Sequence, residues 1–233
     1  MSTLPATRTT LSQRSSSLDF RRWSPARASL VSGLGLLVMV ALMTAGYFGG
    51  VLPLITPGDA TKTARDISQS GLVYLAGVAC IFIVIMIDVV VSGAWFALFK
   101  GVNRRQSAFA AWMRAIYSGL FAVAAGQLAY AHTLLDNPDQ VLHAVESFRT
   151  LWLISLGLFG LHLMLVAYLV LRSTFVPKVF GVLLAISGVG YILDALGVML
   201  MDGFTPMYGL FAIIGETSFT FWLLIRGRRL TIS

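Results

Sequence analysis

Charge is what this sequence has least of. Only 12% of its 233 residues are Asp, Glu, Lys or Arg, against about a quarter in soluble domains, whose surfaces must be solvated. A chain so poor in charge cannot cover itself in water, and its mean hydropathy of +0.82 makes hydrocarbon its main solvent. The apolar segments fill the chain so fully that no soluble domain has room. One cysteine, Cys80, excludes an intrachain disulfide. It lies in an apolar run and reads as packing, since a free thiol behaves as a small hydrophobe. A zinc hydrolase in the membrane would want several His or Asp ligands at one depth, but of three histidines only His162 is central. An outer-surface site of His132, His143 and Asp136 or Asp139 is disfavoured, and no two histidines face each other at one level for axial haem ligation. Walker, dinucleotide-binding, nucleophile-elbow and HExxH motifs are absent. No metal and no cofactor are therefore expected.

Six apolar segments are long enough to cross about 30 Å of hydrocarbon at about 1.5 Å per residue. They lie near Leu30–Leu52, Leu72–Phe99, Ala108–Leu134, Leu151–Leu171, Val179–Met201 and Tyr208–Ile225. The expected fold class is an all-α polytopic membrane bundle of six transmembrane helices occupying residues 28–226. Residues 1–27, rich in Ser, Thr and Arg, read as a disordered basic tail, and residues 227–233 as a second short basic tail.

The net charge of +7 is distributed as membrane loops would hold it, not as a nucleic-acid surface would, so no nucleic-acid partner is expected. Lys100, Arg104, Arg105, Arg172, Lys178 and Arg226 join the Arg-rich tail on one side. The opposite loops carry Asp59, Asp66, Asp136, Asp139, Glu146 and Asp202. By the positive-inside rule the first side is cytoplasmic, and an even number of crossings places both termini there. The Asp136–Glu146 stretch reads as a short interfacial helix, either a lid or a plain connector. The pairs Gly33/Gly35, Gly157/Gly160 and Gly188/Gly190 read as points of close helix approach.

An ionised side chain at the centre of a membrane helix costs about 2.5–3.5 kcal/mol on insertion scales, so it usually faces the bundle interior and has a partner. Asp88 lies twelve positions from Lys100, His162 ten from Arg172, and Glu216 ten from Arg226. All three fall in one layer, about 15–18 Å from the inner boundary. Asp194 falls in the outer half and Arg114 in the inner half. Asp88, Arg114, His162, Asp194 and Glu216 thus form the candidate polar core, with Tyr117, Gln127 and Tyr191 in support. Depth favours two pairings, Arg114 with Asp88 and Glu216 with His162. Interhelical glue, a proton or solute pathway, and catalysis all remain open for such a core.

Several runs carry a family resemblance. They are Asp88–Lys100, Ser155–His162, Tyr168–Ser173, Val176–Gly181, Gly190–Asp194, Gly215-Glu216 and Phe221–Gly227. Together they resemble the bacterial multi-pass membrane proteins catalogued as domain of unknown function 4386, over nearly everything after the N-terminal tail. The resemblance implies a bacterial origin, the plasma membrane and a single helical domain. It implies no activity, although Arg114, His162, Asp194 and Glu216 fall within its motifs. The functional expectation is small-solute or proton-coupled transport through the midplane cluster. The alternatives are a membrane-embedded enzyme acting on a lipid-like substrate, and a non-catalytic subunit or sensor. Expected partners are membrane lipids and a small-molecule or proton ligand.

Overall fold

A computed structural model describes residues 19–208 and 212–230. Among them every regular element is helical. Ser24 caps the Arg27 amide and Pro25 pre-sets the first turn of α1, Pro25–Met43. Its ladder continues without a break as a π-helical stretch over Thr44–Val51 and a 3₁₀ turn over Leu52–Leu54. Asp59 caps α2, Ala60–Gln69. The long apolar helix α3 runs Gly71–Phe99. Asn103 caps α4, Arg104–Ala131, and Asn137 with Pro138 starts α5, Pro138–Arg172. Pro177 precedes α6, Lys178–Leu200, and α7 spans Ala212–Ile225.

Among the described residues, five helices are long and apolar enough to cross a membrane: Pro25–Leu54, Gly71–Phe99, Arg104–Ala131, Pro138–Arg172 and Lys178–Leu200. The expected sixth crossing corresponds to α7, whose 14 described residues reach about 21 Å; residues 209–211 of that segment lie outside the described ones. Leu72, Met86, Val123, Ile186 and Phe221 are among the many large apolar side chains pointing outward. A continuous apolar exterior around buried charge is the surface of a multi-pass membrane protein.

The helices pack in a ring. α1 lies on α3, α3 on α4, α4 on α5, α5 on α6, α6 on α7, and α7 closes on α1. Glycine sets the tightest contacts. A Cβ on Gly160 would stand 2.6 Å from the Gly188 carbonyl oxygen, and one on Gly77 would stand 2.5 Å from that of Gly46. The first contact brings α5 onto α6; the second brings α3 onto the π-helical end of α1.

Two elements differ from expectation. The Asp136–Glu146 stretch is no separate interfacial helix. No glycine or proline interrupts the sequence between Pro138 and Gly157, so the helix started there runs on into the membrane for 35 residues. α2 is an additional amphipathic helix, burying Thr63, Ala64 and Ile67 at helical spacing and packing on α5. Its outer face holds Lys62 2.6 Å from Asp66, and that bond lowers the Asp66 pKa.

Residues 1–18 of the expected disordered tail lie outside the described ones. The described part of that tail is docked on the bundle. Lys100 Nζ donates to the carbonyls of Arg21 and Trp23 at 2.5 and 2.9 Å, and Phe20 covers Gly93.

Candidate functional site

The deepest polar residues are those a helix can bury only with partners. Asp88 of α3, Arg114 of α4 and His162 of α5 are 1%, 1% and 0% exposed. Asp88 Oδ1 accepts from Arg114 Nε at 2.9 Å and from Nη2 at 2.5 Å, while Asp88 Oδ2 lies 2.5 Å from Ser118 Oγ. Ser118 also lies 2.9 Å from the Arg114 carbonyl, and its single hydroxyl proton best serves the carboxylate.

The third guanidinium nitrogen, Nη1, lies 3.3 Å from His162 Nε2, and His162 Nδ1 lies 2.8 Å from the Ala110 carbonyl oxygen. A guanidinium only donates and a carbonyl only accepts. The network therefore assigns the His162 proton to Nδ1 and leaves Nε2 as the acceptor of a neutral ring. Trp95 and Phe159 present their rings to the guanidinium at 5.4 and 5.1 Å, adding cation–π attraction in a dry setting.

This network differs from the expected one in a specific way. Arg114 and Asp88 pair, but Glu216 and His162 do not, because both His162 nitrogens are engaged elsewhere. Ser118, Trp95 and Phe159 complete the arrangement without having been singled out. Two of them carry a legible signal: Ser118 is four residues from Arg114, and Trp95 is seven from Asp88, on the same helix faces.

Glu216 on α7 stands apart from this network. Its Oε1 is buried and has no hydrogen-bond partner. Tyr191 of α6 faces the carboxyl group. Both line a cavity of about 350 Å³ inside the ring, with Asp88, Arg114 and Tyr117 at its floor. Phe121, Trp152 and Phe159 form aromatic wall. Leu37, Val40 and Phe48 from the α1 side and Phe221 from α7 line the same cavity while about half exposed on the exterior. One edge of the cavity thus lies on the apolar exterior, at residues of α1, its π-helical extension and α7.

Two expected members lie elsewhere. Asp194 is buried on α6, where Oδ1 accepts the amides of Met207 and Tyr208 at 2.9 and 3.1 Å, fastening the chain that leads to α7. Gln127 lines an outer groove with His143, Glu146 and Thr150. His132 stacks on Tyr74. Among the described residues no three His, Cys, Asp or Glu side chains converge as metal ligands would.

Residues 31–227 match the family described as "Domain of unknown function (DUF4386)". The chain belongs to that family. An uncharacterised protein of Archaeoglobus fulgidus is 30% identical over 151 residues, which are 65% of this chain and 83% of that protein. No solved structure matches the chain. The matched span contains the whole Asp88–Arg114–His162 network, Asp194 and Glu216. Membership in DUF4386 attaches no reaction to any of them, so chemistry must be argued from the geometry.

Proposed function

We propose that this DUF4386 protein crosses a bacterial plasma membrane six times with both termini in the cytoplasm, and that it transports a small solute in exchange for a proton. The observation that supports the reading is the midplane cavity reaching Glu216, whose Oε1 has no partner. A bound solute or a proton can take that position. The groups that would set its exchange are Asp88 on α3, Arg114 and Tyr117 on α4, and Tyr191 on α6. The lining residues of α1 and α5 bring no titratable side chain, and His162 faces Arg114 instead.

Hydrolytic or transfer chemistry on a membrane-borne substrate is less well supported. Acid–base catalysis on one bond needs two free titratable groups in reach. Both oxygens of Asp88 and both nitrogens of His162 are committed, so the second group beside Glu216 would have to be the hydroxyl of Tyr117 or Tyr191, a far weaker acid than a carboxyl or an imidazolium.

Proteoliposomes loaded with a pH-sensitive dye and presented with a panel of amine, carboxylate and neutral solutes test the reading. At least one solute is expected to change the lumenal pH in wild type and not in Glu216→Gln. Identical traces from the two proteins across the panel would overturn it. The six crossings have their own test. After Cys80→Ala, a cysteine at Asp139 should label from outside and one at Arg104 only after permeabilisation, and the reverse pattern refutes the orientation.

A further inference from the structure

We infer that the solute is a lipophilic organic monocation that reaches the cavity sideways from the hydrocarbon, an assignment that rests on the Glu216-dependent exchange proposed above. Four observations lead there.

The charge at the cavity floor does not cancel. Asp88 and Arg114 neutralise each other through two hydrogen bonds, and the remaining guanidinium nitrogen is spent on His162. Ionised Glu216 then leaves one net negative charge in a low-dielectric site. A monovalent cation balances it. An anion would add a second negative charge with no net positive charge to offset it, since Asp88 already neutralises Arg114, and a divalent cation would be left half compensated.

The walls suit a soft cation. Tyr117 and Phe159 are 5.0 Å apart between ring centres, Phe159 and Tyr191 5.5 Å, and Phe121 and Trp152 5.6 Å. These rings meet in the cavity that holds the carboxyl group. Aromatic faces attract organic cations by their quadrupole, most strongly where water is excluded, and quaternary ammonium groups are bound this way in other proteins. A small hydrated metal ion would instead require a full shell of oxygen ligands, whereas aromatic and aliphatic side chains make up most of the lining.

Size and access agree. About 350 Å³ is at the small end of the range of organic-ligand pockets, about 300–1,000 Å³. Leu37, Val40, Phe48 and Phe221 give the exterior edge of the cavity an apolar rim exposed to the surrounding lipid. A hydrophilic amine partitions poorly into that layer, whereas a cation with its charge spread under apolar groups concentrates there. Binding and protonation at Glu216 are then mutually exclusive: arrival of the cation releases the proton, and reprotonation expels the cation.

The test uses the full-length protein in maltoside micelles and two probes of nearly the same shape and opposite charge, tetraphenylphosphonium and tetraphenylborate, by equilibrium dialysis. Saturable binding of tetraphenylphosphonium at one site per chain is expected. It should weaken by about tenfold or more in Glu216→Gln, as loss of the charged partner requires. It should also weaken on acidification, with no saturable binding of tetraphenylborate. If Glu216→Gln does not give a monodisperse protein, Trp152→Leu and the wild-type pH titration carry the test, each expected to weaken binding. Saturable tetraphenylborate binding, or tetraphenylphosphonium binding indifferent to pH and to both substitutions, overturns the assignment. Absence of tetraphenylphosphonium binding alongside a Glu216-dependent pH signal for an anionic or neutral solute overturns the cation class and leaves the transport reading intact. Absence of any Glu216-dependent signal overturns both.

Discussion

Replacing Asp88 by Asn keeps the side chain's shape and removes its charge, and it isolates what the buried ion pair contributes. Arg114 and Asp88 have 2% of their side-chain surface exposed each, and the carboxylate oxygen lies 2.5 and 2.9 Å from two guanidinium nitrogens. At an effective dielectric of about 20, unit charges about 4 Å apart attract by about 4 kcal/mol. Removing one partner strands the other in a site water cannot reach, and such losses run to about 3–5 kcal/mol. Asp88→Asn is therefore expected to destabilise the bundle by about that amount, a shift of roughly two to three and a half decades in the unfolding constant. SDS titration in mixed micelles, followed by tryptophan fluorescence, measures it. Trp95 lies on the guanidinium and reports the site directly. One escape is built in, because Arg114 and Glu216 line the same cavity and the free Glu216 Oε1 offers a second anion. Repeating the substitution in a Glu216→Gln background closes it. A loss below about 1 kcal/mol in both backgrounds, the level of an exposed surface pair, would refute the buried pairing.

Three further outcomes follow from the same geometry. Asp88→Asn/Arg114→Met should recover much of the stability lost by Asp88→Asn, since replacing both members of a buried pair is often near neutral; additive losses in the same titration would show that the two do not act as a pair. Gly160→Ala should cost about 1–3 kcal/mol by overpacking, because its Cβ meets the Gly188 carbonyl at 2.6 Å, whereas Gly126→Ala, with nothing within 4 Å, should cost nothing. Equal thermal shifts for these two alanines would dismiss the close approach of α5 and α6. Asp194→Ala should cost about 1.5–3 kcal/mol by releasing the Met207 and Tyr208 amides, while Asp194→Asn, whose amide oxygen can accept both, should lose much less and keep its transport. Loss of transport in a stable Asp194→Asn would instead move Asp194 into the site.

Hydropathy located the five long apolar helices, four of them to within about five residues at each end, because few other segments keep so high a mean hydropathy over about twenty positions. Ends were less legible. α1 begins at Pro25 and not at Leu30, since Ser24 and Pro25 supply cap and first turn while the apolar run starts later. α5 begins at Pro138 and not at Leu151, since helix propensity does not stop where hydropathy does. α2 escaped a search tuned to membrane-length runs, although Ala60, Thr63, Ala64 and Ile67 repeat at helical spacing. For the polar residues, sequence supplied an expected depth but not azimuth. Asp88 and Arg114 are found by depth because a long guanidinium tolerates a turn of mismatch. Glu216 and His162 share a depth and still do not meet, because α5 turns His162 toward α4 and Ala110. Rotation about a helix axis is fixed by packing, and the glycine contacts that fix it here involve carbonyls on neighbouring helices.

The polar interior is best understood by counting donors against acceptors. Arg114 offers five N–H donors on three nitrogens, and each nitrogen has one partner; Asp88 offers two oxygens and both are taken; His162 gives one proton to Ala110 and accepts from Arg114. This network is electrically neutral, with a partner at every guanidinium nitrogen and carboxylate oxygen, so it can hold α3, α4 and α5 together without the desolvation penalty an unpaired charge would carry. Glue of that kind would be complete without Glu216. A fourth ionisable group placed at the same cavity, on the helix that closes the ring, adds a buried acceptor that nothing in the network satisfies. Packing alone gives no reason to keep such a group, since an apolar residue there would stabilise the helix in hydrocarbon. Its presence beside a neutral network, facing an aromatic cavity, separates the two parts: the first ties three helices together, and the second offers the cavity an unpartnered acceptor, which is what the proposed exchange requires.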